Sequence, residues 1–433
     1  MIRLHDYQKR ALDHVLSQER TGLGLEMGLG KTLIMLSAIK RAKPKRVFVL
    51  APKRVIEQVW SAEIEKWGLD LTYSPLMGTQ AQRLKALRKR ARIYGVSYDN
   101  VRWLIKTGEF TGDWLVIDES HMLKDPSTLR YKALKTHLRT KTGNFPRITL
   151  LTGTPIPNSL LDIWSQQYLL DDGHTLGRTF RAFKDRWFYP DHFGYNWKPR
   201  RASEQEIFEL ISDRWLTMKS KDHLALPELI ENDVKARLWP ISRAIYRRAR
   251  ADMVIEVEEN PEIIKTAAVL SQKMLQICSG FIYGEDGRVE NVHDIKLNML
   301  DEIAQGTDDN LLVAVSYKED VRRITAKFPD ARRVDNQASI DLWNRGLVKM
   351  LLINPASGAT GLNLQAGGHT VVWYTPTWNL GHYQQLNARL HRQGQENTVI
   401  VHRLVITDSI EEKVLDVIAG KSTMQDAFME HLK

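Results

Sequence analysis

Three separated clusters of charged residues in this chain have the types and spacing for phosphate chemistry. The first is the glycine-punctuated run Glu26-Met27-Gly28-Leu29-Gly30-Lys31-Thr32, followed by the apolar stretch Leu33 to Ala42. Gly28 and Gly30 let a backbone turn aim its N–H groups at a polyphosphate, and a helix starting there adds partial positive charge. Lys31 then pairs with the β- and γ-phosphates, and the Thr32 hydroxyl holds magnesium. Strict phosphate-loop spacing asks for a further glycine where this chain has Leu25. Taken alone, the run reads also as a glycine-rich helix start with no ligand.

The second cluster, Asp118-Glu119-Ser120-His121, follows Trp114-Leu115-Val116-Ile117. Two adjacent carboxylates leaving a strand end point to opposite sides. Asp118 suits the magnesium of a nucleotide, and Glu119 suits the attacking water. An isolated Asp-Glu pair is more commonly a solvated acidic turn. Four apolar residues before it and a Gly-Lys-Thr loop upstream favour function. In the third cluster, Arg389 and Arg392 stand three apart within Gln384 to Gln395, a spacing that predicts one face of a helix. Planar cationic forks suit a separating γ-phosphate, while a solvated basic helix face fits the pair taken alone.

Such clusters need strand ends to hold them. Apolar runs at Val47 to Leu50, Ile93 to Val96, Leu115 to Ile117 and Ile148 to Leu151 alternate with helix-periodic stretches, as a parallel α/β sheet requires. Polar residues follow each run, where open α/β sheets bind ligands. A second such pattern runs through Leu311 to Val315, Met350 to Ile353, Val371 to Tyr374 and Val399 to Leu404. Between the two patterns, 171–285 reads as largely helical insertions and a connection. The expected division is therefore 1–170, 171–285 and 286–433.

At 433 residues the chain is long enough for two or three cores. Its 62 Lys and Arg against 52 Asp and Glu leave a net charge of +10, which favours a polyanionic partner without naming it. The single cysteine, Cys278, excludes disulfide frameworks and reads as a buried thiol. No apolar run reaches the eighteen or so residues of a membrane span. A soluble, cytoplasmic protein without membrane association is expected.

In order along the chain, Tyr7-Gln8, Met27 to Thr32, Asp118 to His121, Leu151 to Pro155, Gly361 to Leu364 and Gln385 to Gln395 resemble the motifs of Swi/Snf-type superfamily-two helicases. The resemblance spans nearly the whole chain. It implies two RecA-like lobes with ATP and Mg²⁺ in the cleft between them. Gln8, Met27, Gly28, Leu29, Gly30, Lys31, Thr32 and Gln385 would bind ATP, with Thr32 and Asp118 at the metal. Lys31, Asp118, Glu119, Arg389 and Arg392 would be catalytic, while Thr152 and Thr154 would couple nucleotide state to DNA grip. The chain departs from the family's usual residues at His5, Leu25, Pro355 and Thr375, and 331–341 looks abbreviated.

The same resemblance maps nucleic-acid backbone contacts to Lys53, Ser97, Tyr98, Ser316, Ser357, Gly358 and Trp378. A dense basic run, Arg83 to Arg92, and an aromatic-basic stretch, Phe180 to Arg201, add charge. Aromatics in the latter suit either base stacking or a small hydrophobic core. The expected function is a DNA-dependent ATPase that translocates on double-stranded DNA as a monomer, on the nucleoid or viral DNA of a bacterial host. Protein partners are not legible. Two alternatives stay open: a strand-separating DNA or RNA helicase, and an ATP-gated DNA-binding or annealing protein with little turnover.

Overall fold

A computed structural model describes residues 3–143, 145–190, 197–259, 263–284, 288–358 and 362–431, with side chains described except at 252–259, 263–268, 270, 357–358, 426–428 and 430–431. It divides into two compact units. Unit 1 comprises Met1–Leu224 with Lys421–Lys433, and unit 2 comprises Ala225–Gly420.

Unit 1 is built on strands β1 (Arg20–Leu25), β2 (Val47–Ala51), β3 (Tyr73–Pro75), β4 (Ile93–Ser97), β5 (Trp114–Asp118) and β6 (Arg147–Thr152). A hairpin of β7 (Phe188–Pro190) and β8 (Trp197–Pro199) precedes β9 (Trp215–Met218), the last strand of this unit. The main sheet is wholly parallel, in the order β3-β4-β2-β5-β6-β1-β9. Central strands are apolar on both faces because helices cover both. In β2, Phe48 and Leu50 enter one core while Val47, Val49 and Ala51 enter the other. Such strands read as continuous apolar runs.

Unit 2 begins with β10 (Leu229–Ala236), then a small hairpin of β11 (Phe281–Tyr283) and β12 (Val289–Asn291). Its main strands follow as β13 (Leu311–Ala314), β14 (Arg332–Arg333), β15 (Met350–Ile353), β16 (Thr370–Trp373) and β17 (Val399–Ile406). These form a second parallel sheet in the order β10-β17-β16-β13-β15-β14. Leu311 and Val313 face one core, Leu312 and Ala314 the other. Two parallel sheets, each flanked by helices, are the α/β architecture expected from the alternating pattern.

The expected boundaries need correction in the middle of the chain. Residues 171–224 pack within unit 1, residues 225–285 belong to unit 2, and the last thirteen return to unit 1. The stretch 171–285 is also less helical than its spacing suggests, since β9 and β10 each extend a main sheet. β10 is an edge strand rich in charge, so its apolar alternation is weak. β1, with the sequence RTGLGL, carries two glycines and is not among the apolar runs that mark the other strands. In the fold a Cβ at Gly22 would fall 2.5 Å from the Trp215 ring, so the strand needs glycine to admit β9.

Candidate nucleotide site and comparison with known proteins

β1 ends in Leu25, and the loop that follows turns into the helix Lys31–Ala42. Gly28 (φ 85°) and Gly30 (φ 78°) both adopt left-handed backbone, and Gly30 is the residue from which the helix starts. That is the conformation the two glycines permit at least cost. Leu25, at the position where strict spacing asks for glycine, is buried in the core, and its carbonyl accepts a 2.7 Å hydrogen bond from Lys31 Nζ. A side chain is tolerated there because the turn begins only after it.

The loop is braced from two sides. Gln8 Nε2 donates to Leu29 O at 3.3 Å, while His5 N donates to Gln8 Oε1 at 3.0 Å. From the short turn Ser220–Asp222 just past β9, Ser220 N donates to Glu26 Oε2 at 2.8 Å and Ser220 Oγ donates to Met27 O at 2.9 Å. Gln8 therefore lies against the loop itself. Thr32 is half-buried in the helix's first turn.

Asp118 closes β5, a central strand held by β2 and β6, so its position is fixed on both sides. Its Oδ2 accepts from Trp60 Nε1 at 3.3 Å and its Oδ1 accepts from Glu119 N at 3.1 Å. Burial, with the Glu119 charge beside it, pushes the Asp118 carboxyl up to about 7; Lys31 and the Trp60 indole pull the other way. Glu119 itself has left-handed backbone (φ 57°), uncommon for a side chain of this size.

Glu119 Oε2 is buried and takes no hydrogen bond from the protein. His121 Nδ1 stands 3.4 Å from it, an ion pair only when the imidazole is protonated, and already meets Thr152 Oγ1 at 3.1 Å. A buried, uncommitted carboxylate oxygen beside a second carboxylate, a lysine and a glycine loop suits a magnesium nucleotide and its attacking water. The residues present fit that group. Thr152 and Thr154 are fully buried behind them, with Thr154 N donating to Thr152 Oγ1 at 3.0 Å.

The model of the SNF2-related domain matches residues 7–280. The chain belongs to the SNF2-related family. Over 99% of its length it is 32% identical to putative protein p41 of Acyrthosiphon pisum secondary endosymbiont phage 1, and covers 98% of that protein. It is 28% identical to the DNA repair and recombination protein RAD54-like of Gallus gallus, over 94% of this chain and 63% of that protein. It is 24% identical to the putative ATP-dependent helicase/translocase YwqA of Bacillus subtilis, over 99% of this chain and 49% of that protein. The chain thus spans roughly half to two thirds of these two longer relatives. Among solved structures, the Sulfolobus solfataricus SWI2/SNF2 ATPase core in complex with dsDNA covers 100% of this chain, and is itself covered to 94%, at 22% identity and a TM-score of 0.47. SNF2-family membership supports an ATP-hydrolysing, helicase-like enzyme that binds nucleotide and DNA.

The SNF2-related motifs of unit 2 sit differently from their expected placement. The helix holding Gln385 is Leu380–Asn387 and stops there, so Arg389 and Arg392 lie beyond it and not on one helix face. Asn387 Oδ1 accepts from Trp373 Nε1 at 2.9 Å, and three-residue turns at Arg389 and Leu390 replace the helical ladder. Arg389 Nη1 donates to Leu362 O at 2.9 Å, which ties it to the neighbouring motif. Gln385 is buried. Gly361 lies outside the described residues.

Two expected nucleic-acid contacts are corrected. Tyr98 is buried, and its hydroxyl donates to the carbonyls of Asp118 (2.8 Å) and Glu119 (3.1 Å). It buttresses the carboxylates from behind. Ser97 is buried as the last residue of β4 and accepts from Asn100 Nδ2 at 3.0 Å. Lys53 and Ser316 are exposed and Trp378 is half-buried. Ser357 and Gly358 end the short helix Pro355–Gly358, and the surroundings of both lie outside what the structure describes. In the aromatic-basic stretch, Phe183, Trp187 and Phe188 are core. Phe193 and Tyr195 lie outside the described residues.

Three residues with a place in the site carried no signal in spacing. Trp60 reaches Asp118 from 58 positions away. Ser220 braces the loop from 193 positions away. Gln166, fully buried, accepts from Ser120 Oγ at 2.7 Å and donates Nε2 to Pro155 O at 2.6 Å, joining the carboxylate motif to the Thr152–Pro155 motif.

Proposed function

We propose that the chain is a DNA-dependent ATPase that uses hydrolysis to translocate along double-stranded DNA. The observation that carries the ATPase part of the reading is the Asp118–Glu119 pair at the end of β5, with Asp118 buried and the Glu119 Oε2 atom buried and without a protein hydrogen bond. Lys31 and the backbone N–H groups of the Gly28–Gly30 turn hold the phosphates and neutralise their charge. Magnesium, held by Thr32 and Asp118 when bound with the nucleotide, supplies further charge neutralisation. Glu119 orients the attacking water and accepts its proton at Oε2. Trp60 and Tyr98 keep the two carboxylates in place. Arg389 and Arg392 are assigned to the charge developing on the γ-phosphate from the family resemblance.

DNA as the activating partner rests on the net charge of +10 and on relatives named for DNA repair and for helicase or translocase activity. Backbone-directed contacts imply little sequence preference. The test is phosphate release from ATP with no nucleic acid, single-stranded DNA, duplex DNA or RNA, each beside Lys31→Ala. Stimulation by duplex DNA that vanishes in Lys31→Ala is the expected result. Stimulation by single strands or RNA alone replaces the duplex translocase with a strand-separating helicase, and tight DNA and ATP binding without turnover replaces it with an ATP-gated binder.

A further inference from the structure

Unit 2 contains a cleft of about 240 Å³ that none of the motif residues lines. Arg237, just past β10, and Arg243, Arg247 and Arg250 of the helix Pro240–Glu259 surround it. Steps of four and three place the last three on one helix face. The frame is fixed: Tyr246 is buried with its hydroxyl accepting from Ile410 N at 2.8 Å, and Thr407 N donates to Ala236 O at 2.9 Å. Among the described residues, the lining has one carboxylate, Asp408, 3.3 Å from Arg243.

The order of charge along this helix opposes its own dipole. Arg243, Arg247, Arg248 and Arg250 come before its first acid, Asp252, and the sequence puts Glu256, Glu258 and Glu259 at its carboxyl end. Cations near an amino terminus and carboxylates near a carboxyl terminus both weaken a helix. Crowding like charges round one cleft adds repulsion. An anion in the cleft offsets the repulsion among these arginines, of which, among the described residues, Arg243 alone has a carboxylate of the lining beside it. All four cations are arginine, whose planar fork matches phosphate oxygens. The exposed Ile241 and Ile245 fall on another face of the helix, so the cleft lacks the exposed apolar anchor on which protein interfaces concentrate their energy.

We propose that this cleft is a second contact for nucleic-acid backbone phosphates, separate from the motif loops; the proposal rests on the reading of the chain as DNA-binding. The experiment measures affinity of the full chain for a labelled duplex across a salt series. Wild type is compared with Arg247→Gln/Arg250→Gln and with Arg332→Gln/Arg333→Gln, which removes equal charge from β14. In the cleft variant, affinity falls about tenfold and the slope of log K against log salt shrinks by about two, while the β14 variant changes neither. Each single glutamine substitution shrinks the slope by about one, and Arg247→Lys/Arg250→Lys retains most of the slope with weaker affinity. Matching thermal transitions establish that the variants are folded, and the single variants carry the test should the double variant unfold. Unchanged affinity and slope in every cleft variant overturns the proposal and leaves DNA binding standing. Loss of inorganic tripolyphosphate binding with DNA binding intact overturns it in favour of a free polyphosphate. A wild type that binds no DNA overturns the function reading as well.

Discussion

The indole Nε1 of Trp60 donates to Oδ2 of Asp118 across 3.3 Å, with both groups buried. Asp118 is already pushed up to about 7, and this bond is one of the few interactions that favour its ionised form. Trp60→Phe removes the donor and raises the carboxyl further, so less of it is ionised at neutral pH. A hydrogen bond to a charged group is worth about 1.5–3 kcal/mol, so the KM for magnesium-ATP at pH 7 should rise about tenfold. Raising the pH restores the carboxylate and should recover much of the loss. A KM profile against pH that overlays the wild type would remove Trp60 from the site.

Glu119→Gln keeps shape and volume while removing the base, and Oε2 has no protein hydrogen bond to lose. Nucleotide binding should persist while turnover drops by about 10²–10⁴. The substitution also removes the neighbouring charge that helps raise Asp118, so Asp118 should titrate lower than in wild type. Binding of a fluorescent nucleotide analogue, single-turnover hydrolysis and carboxyl titration by isotope-edited infrared spectroscopy separate these effects. Normal turnover would end the assignment of Glu119 as base.

How far the sequence could be read depended on burial. Buried parallel strands such as Val47–Ala51 and Met350–Ile353 announce themselves as apolar runs, and the charged motifs sit at their ends. β1 escaped because Gly22 and Gly24 serve close packing against Trp215 and Thr217, which no local pattern expresses. β10 escaped because an edge strand carries charge on its exposed positions. Arg389 and Arg392 fit a helical spacing, but the ladder ends at Asn387, whose side chain is held by Trp373. Tyr98 had the chemistry of a surface contact and a buried position behind the carboxylates. Motif types were legible; the long-range bonds that hold them were not.

Gln166 tests whether the two unit 1 motifs act as one piece. Gln166→Leu keeps most of the volume but leaves the Ser120 hydroxyl and the Pro155 carbonyl without their partner. Leaving a buried polar group unpaired costs about 1–3 kcal/mol, so with two such groups unfolding in denaturant should show a loss of about 2–6 kcal/mol. If Thr152–Pro155 relays nucleotide state, DNA stimulation should fall more than unstimulated hydrolysis. Equal losses in both would reduce Gln166 to a packing role.

His293 should give unit 2 a dependence on acid. Its ring is buried, with Ile295 N donating to Nδ1 at 3.3 Å, and burial together with the Arg323 and Lys296 charges holds it down at about 4, against an ordinary 6.5. The unfolded chain therefore binds a proton that the folded chain refuses. The stabilising contribution is complete above 6.5 and is lost as pH falls from there towards 4. From pH 7 to pH 5 the loss is about 2 kcal/mol. Asp320 works in the opposite sense, because burial raises it to about 6, so acidification over the same range favours its folded form. The two are separated by comparing wild type with His293→Gln in denaturant at each pH. The stability difference between them should shrink by about 2 kcal/mol on going from pH 7 to pH 5. Parallel profiles would mean that His293 does not control the acid response of unit 2.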